Sequence, residues 1–377
     1  MMSAHWDVVV VGLGAMGSAA VYHLARAGAQ VLGIDQYAPP HNLGSSHGLS
    51  RIIREAYYED PRYVPLLQRA YTLWADLEQR AEETLLTPTG GLMVGLPDQE
   101  LVQGASHSAA LHDLSHERLS AAQVQERFPA WQIPDDWEAV YEGRAGFLHP
   151  ETCIRAHLQA AKAAGASLRL NTPLQSWEAL PTGGYRLQVG GEYIEAAQVV
   201  FTAGAWLQEL VPVLQPALTI TRQVLYWFEP LQPALFTPEA FPIFILQDAP
   251  DHFVYGFPDD GNGFKIALHV PGQPLGVAAD LSQQVAPEEI AAMQAIVTRY
   301  FPQAAGPLRK TAVCMYTNTA DHHFAMGEYQ SGLWAISPCS GHGFKFAAVI
   351  GEIAAQWVQG QTPAYDLSLF GLGRLIP

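Results

Sequence analysis

Three glycines carry the first chemical signal in this chain. Gly12-Leu13-Gly14-Ala15-Met16-Gly17 has the spacing G-x-G-x-x-G, and Asp35 follows Gly17 by eighteen residues. That pattern suits the pyrophosphate of a dinucleotide. Gly12 permits a tight turn, Gly14 lets the backbone approach the phosphates, and Gly17 lets a helix pack on its strand. The free N–H groups and dipole of the helix stabilise the negative charge, and Asp35 is expected to accept hydrogen bonds from the ribose. On this evidence NAD and FAD are both open. Other chemistries find no support. The cysteines Cys153, Cys314 and Cys339 are scattered, which is neither a disulfide framework nor a zinc pattern. No Ser-His-Asp or metal-ligand spacing is present.

The glycines need a strand before them and a helix after them. Residues 8–11 are an uninterrupted apolar run, 15–27 read as a helix with Gly28 as its C-terminal stop, and 31–34 are a second apolar run closed by Asp35. This is a βαβ unit. Further along, the spacing predicts a loop over 37–50 and helices over 61–83, near 98–112 and 120–128, and over 151–164. A strand is expected near 167–170, a hairpin at 185–189 and 193–196 around Gly190-Gly191, and a buried strand at 198–202. Residues 211–250, rich in proline and aromatics, read as long connections. Strands at 255–258, 265–269 and 332–336, a turn at 341–343 and a helix over 344–358 complete the pattern.

Composition narrows the function classes. The chain has 377 residues, 49% hydrophobic and only 15% charged, which excludes a disordered protein. Single cores split beyond roughly 250–300 residues, so two domains are expected. Twenty Lys and Arg against 36 Asp and Glu give a net charge of −16. That argues against nucleic acid and against anionic membranes as partners. The uncharged stretch 8–25 is broken by its glycines and lacks a basic leader, so it reads neither as a membrane span nor as a signal peptide. A cytoplasmic, reducing location fits the cysteine usage.

Three later segments are more specific than the glycines: Gly44-Ser45-Ser46-His47-Gly48-Leu49-Ser50-Arg51-Ile52-Ile53-Arg54, Cys314-Met315-Tyr316-Thr317, and Ser340-Gly341-His342-Gly343-Phe344-Lys345-Phe346. In this order, and over essentially the whole chain, the sequence resembles the monomeric sarcosine oxidase and N-methyl-L-tryptophan oxidase family of D-amino-acid oxidase-like flavoproteins.

The resemblance implies FAD, tethered through Cys314, with Ser45, Arg51, Gly341, Gly343 and Lys345 beside it. It implies a carboxylate-binding pair, Arg54 and Lys345, since a guanidinium suits bidentate carboxylate binding. His47, His269 and Tyr255 match active-site positions, and Arg51 a basic residue beside the flavin. Lys265 matches a lysine that activates oxygen, a fixed cation where negative charge develops on dioxygen. The implied reaction oxidises the C–N bond of a secondary amino acid, with O2 going to H2O2. No general base is evident. Cyclic imino acid oxidation, a dehydrogenase passing electrons to a carrier, and a non-catalytic flavin protein are the alternatives. The family usually shows Gly-Ser-His-His-Gly where this chain has Gly-Ser-Ser-His-Gly, and an Asp where Ala325-Met326-Gly327 stands, which leaves the substrate open.

The implied fold is α/β (α+β), a Rossmann-like FAD-binding domain interleaved with a mostly antiparallel substrate domain. The expected division is 1–84, 146–215 and 305–377 for FAD, and 85–145 with 216–304 for substrate. A monomer is expected, with no metal.

Overall fold

The computed structural model describes residues 5–270 and 272–375. Its first sheet grows from the βαβ unit. His5–Val11 lies between Val31–Ile34 and Glu192–Phe201, all parallel, with Ser167–Arg169 beyond one side and Leu333–Ser337 beyond the other. Alternate side chains take opposite faces, as strand geometry requires. Val8 and Val10 join the core formed with helices Ala15–Arg26, Val64–Ala81, Pro150–Ala163 and Ala347–Val358. Val9 and Val11 face a second core containing Leu187, Phe201 and Leu214.

The residues expected at 193–196 and 198–202 form one strand, Glu192–Phe201. Its first half pairs antiparallel with Tyr185–Val189 and its second half pairs parallel with Leu333–Ser337. One strand thus changes partner along one edge, which a local pattern does not reveal.

The second sheet has nine strands, antiparallel except where Ile243–Ala249 runs beside Gly91–Gly95. Its centre is Thr219–Phe228, His252–Phe257 and Phe264–Leu268. The expectation of long connections over 211–250 is corrected here. That stretch contains the ten-residue strand Thr219–Phe228 and the strand Ile243–Ala249. Its prolines sit outside these strands, where the missing N–H costs no ladder bond. Its aromatics join the core: Phe228, Phe236, Phe241 and Phe244 pack with Trp131, Phe264 and Phe301. Leu308–Asn318, counted from sequence with the cofactor domain, pairs along Thr219–Phe228 in this second sheet. A small sheet of Arg51–Ile53, Gly146–Leu148 and Leu86–Pro88 lies apart from both. Among the described residues no helix is long and apolar enough to cross a membrane.

Candidate active site

The glycine turn is built as its spacing demands. Gly12 has φ +92°, and a Cβ on Gly17 would lie 1.7 Å from the Gly12 carbonyl oxygen. Nothing larger than hydrogen fits there. Gly14 caps helix Ala15–Arg26 without a side-chain bond, and a Cβ on it would meet only Ser46 Oγ, at 3.7 Å. The helix N-terminus therefore opens into space. Asp35 accepts from Leu13 N at 2.7 Å and from Tyr37 N at 2.8 Å, one bond to each oxygen, leaving a lone pair on each for a ribose.

One cavity runs from this turn to the other candidate residues. Gly12, Gly14, Asp35, Ser45, Arg51, Arg54, Tyr255, His269, Cys314, Gly341, Gly343 and Lys345 all line it. Gly17 is packed behind the turn. An open helix N-terminus at one end, a long cavity and a buried thiol beyond it fit FAD. Ser46, where the motif departs from the family pattern, lies against Gly14 at the phosphate end. Position 46 therefore faces the glycine turn. Met326 is buried in the helical core of the first sheet.

His47 and Lys265 stand behind the cavity wall. Lys265 is 2% exposed, and its Nζ donates to Gly48 O at 2.7 Å, Ser50 O at 2.8 Å and Ser50 Oγ at 3.0 Å. The face of Phe257, which lines the cavity, is 4.4 Å from the ammonium. Burial pushes the Lys265 pKa well down, and Arg51 adds to the effect. Arg51 donates to Ser45 O and Ser50 O, both at 2.8 Å, and to His47 O. His47 is buried with Nε2 unpartnered, and burial, helped by Arg51, pushes it down to about 4.

At the far end Arg54 is 1% exposed. Its Nη2 meets Glu59 Oε2 at 2.7 Å, its Nη1 donates to Ala56 O at 2.8 Å, and its guanidinium lies on the rings of Tyr57 and Tyr58 at 4.2 and 4.9 Å. Arg54 Nε is buried without a partner. Lys345 Nζ donates to His342 O at 2.7 Å and to Tyr57 Oη at 3.4 Å. Burial, reinforced by Arg54 and opposed by Glu59, brings Lys345 down to about 7. His269 is pushed down to about 4 by burial, so it is neutral near pH 7, and Tyr255 is pushed up to about 12. Tyr255 and Tyr316 bring their hydroxyls within 3.4 Å.

Glu59, Tyr57, Tyr316 and His342 belong to this site and were given no role from sequence. Tyr316 and His342 lie inside the quoted motifs. Glu59 had one available signal, an acid five residues after Arg54.

Cys314 comes from Leu308–Asn318, opposite Gln223, and is 2% exposed. Its thiol is free. Burial pushes its pKa up, while Arg51 and Lys265 pull it down. Cys339 lines the same cavity, and its sulfur accepts from Thr317 N at 3.3 Å.

Fold and cavity together define a dinucleotide-binding enzyme whose cavity also gathers Arg54, Glu59 and Lys345. Residues 7–357 match the family described as FAD dependent oxidoreductase, and the chain belongs to that family. It is 42% identical over 381 residues to a protein of Streptomyces avermitilis named monomeric sarcosine oxidase, covering 99% of each chain. It is 33% identical over 371 residues to a Yersinia pestis protein named N-methyl-L-tryptophan oxidase, covering 98% of this chain and 99% of that one. The solved structure of L-proline dehydrogenase from P. horikoshii shares the fold, with a TM-score of 0.85 at 19% identity over 99% of this chain and 98% of that one.

Proposed function

We propose that this chain oxidises the C–N bond of an N-methyl amino acid, sarcosine or a bulkier one such as N-methyl-L-tryptophan, and passes two electrons and two protons to O2 as H2O2. The observation that carries the reading is that Arg54 and Lys345 both line the cavity and both lie over the ring of Tyr57. Two cations there suit a substrate carboxylate, and full-length similarity to secondary-amine oxidases supports the choice of amine.

Bound FAD supplies the two-electron acceptor. Arg54 and Lys345 hold the carboxylate, so the substrate's orientation is set before reaction. His269, Tyr255 and Tyr316 then form a neutral wall around the amine. Neutrality matters because the amine must be unprotonated to react, and a charged wall would shift its protonation. Tyr58, Ile245 and Phe257 add apolar surface to the same cavity.

The same reading gives Lys265 the oxygen-facing role and Cys314 the tether to FAD. Cys314 is supported by its place in the cavity; burial pushes its thiol pKa up, and Arg51 and Lys265 offset part of that rise toward the reactive thiolate. The reading includes a monomer in the cytoplasm. None of the three cysteines forms a disulfide, which accords with a reducing compartment.

The test is an anaerobic screen of purified enzyme for bleaching of the flavin absorbance by sarcosine, N-methyl-L-tryptophan, pipecolate and proline, with oxygen uptake measured beside it. Bleaching by an N-methyl amino acid with H2O2 formation supports the proposal. Bleaching only by cyclic amino acids rejects the substrate, and bleaching without oxygen uptake rejects the oxidase assignment.

A further inference from the structure

Lys265 has no carboxylate within ion-pair distance among the described residues. Its ammonium is held instead by two main-chain carbonyls and one hydroxyl, all from residues 48–50. That segment has an unusual backbone. Ser50 N donates to Gly48 O at 2.9 Å, closing a three-residue turn around Leu49, whose φ is +71°. A bulky residue rarely adopts this conformation. Gly48 itself has φ +100°. Such a turn persists only when its surroundings hold it.

The group that holds it is a carboxylate from another part of the chain. Glu151 Oε1 accepts from Gly48 N at 2.8 Å and from Leu49 N at 3.2 Å. Glu151 stands in the first turn of helix Pro150–Ala163, whose Cys153, Ile154 and Leu158 are buried in the first sheet's core. The arrangement is a relay of dipoles. One carboxylate oxygen fixes two consecutive N–H groups, and the Gly48 and Ser50 carbonyls then meet the Lys265 ammonium. We propose that Glu151 is a positioning residue for Lys265, setting where its ammonium sits by clamping the 48–50 turn, and so acts chiefly on the oxygen step, although Arg51 also donates to Ser50 O of that turn. This rests on the oxygen-facing role given to Lys265 above. A plainer role would be stabilisation of a helix N-terminus by an acid, and that role would not discriminate between the two halves of the reaction.

The experiment compares Glu151→Ala, Glu151→Gln and Lys265→Met holoenzymes with wild type. Stopped-flow measurement gives the rate of anaerobic flavin reduction and, separately, the rate of reoxidation by O2. Hydrogen–deuterium exchange over peptides spanning 44–52 reads the turn directly and does not depend on activity. In Glu151→Ala, reoxidation should slow about tenfold or more, reduction should stay within twofold, and exchange over 44–52 should rise. Glu151→Gln keeps an oxygen for the two N–H groups and should recover most of the reoxidation rate and the protection. If Lys265→Met is slow with O2 while Glu151→Ala is not, the positioning proposal is wrong and the reading of Lys265 stands. If Lys265→Met reoxidises at the wild-type rate, the reading of Lys265 fails and takes the proposal with it. Equal slowing of both half-reactions in Glu151→Ala, with Gln giving no rescue, also overturns it and leaves a structural role only.

Discussion

Arg54 and Glu59 meet at 2.7 Å, guanidinium to carboxylate, where Arg54 is almost wholly out of water and Glu59 is 15% exposed. The residue proposed to receive the substrate carboxylate therefore already has one. A ligand carboxylate must share the guanidinium with Glu59, displace it, or use Arg54 Nε, which is buried without a partner. Breaking a buried pair by removing one partner costs about 3–5 kcal/mol, because the remaining charge is stranded. Glu59→Gln should accordingly lower the melting temperature, and a small carboxylate such as acetate should restore it. The affinity for acetate, read from perturbation of the flavin spectrum, should tighten about tenfold, equivalent to ~1.4 kcal/mol. Unchanged affinity would show that Glu59 does not compete.

Lys345 gives that affinity a pH dependence. Its folded pKa lies near 7, lowered from the ordinary lysine value chiefly by burial. Below that pH the ammonium attracts a carboxylate, and above it the amine is neutral. Binding of acetate should therefore weaken as pH rises through about 7, levelling off once Lys345 is neutral. Arg54 stays charged throughout and retains the remaining affinity. The loss should be at least about tenfold, in line with the ~1.5–3 kcal/mol of hydrogen bonds to charged groups. Acetate has no amine, so substrate ionisation does not enter. Lys345→Met should bind acetate weakly and equally at pH 6 and pH 9; a surviving pH step would assign the titration to another group.

Cys314 has a test that needs no kinetics. A thioether to FAD survives denaturation, so acid-precipitated wild-type protein should stay yellow and Cys314→Ser should release its colour into the supernatant. Cys339, in the same cavity, is the control, and Cys339→Ser should leave the colour on the protein. Free flavin from wild type would reject the tether.

The residues that act through their side-chain type were legible in the sequence, and those that act through the main chain were not. Gly12, Gly17 and Asp35 announce a dinucleotide turn because that geometry admits almost no other residue, as the 1.7 Å approach at Gly17 illustrates. Arg54, Lys345 and Cys314 lie in segments distinctive enough to carry a family resemblance. Glu151 and Glu142 hold peptide N–H groups 103 and 87 residues away. An N–H has no residue type, so no spacing marks its partner. The direction of the Lys265 side chain was equally hidden, since two of its three acceptors are main-chain carbonyls. Residues 211–250 hide two buried strands behind a proline-rich composition, because the prolines only flank them.

Glu142 offers the clearest test of how the carboxylate end is held. It is 2% exposed, accepts from Glu55 N at 2.8 and 3.0 Å through its two oxygens, and accepts from Ala56 N at 2.8 Å. These amides directly follow Arg54, whose Nη1 donates to Ala56 O. Glu142 thus holds the amide of Ala56, the residue whose carbonyl receives the guanidinium. Glu142→Ala leaves two buried N–H groups without acceptors, at roughly 1–3 kcal/mol each. Its urea midpoint should fall accordingly. If the variant folds with its flavin, KM for the amino acid should rise several-fold while kcat changes little, because the carboxylate site loosens and the neutral wall around the amine does not. A variant with wild-type stability and wild-type KM would show that the 54–56 backbone keeps its place without this carboxylate.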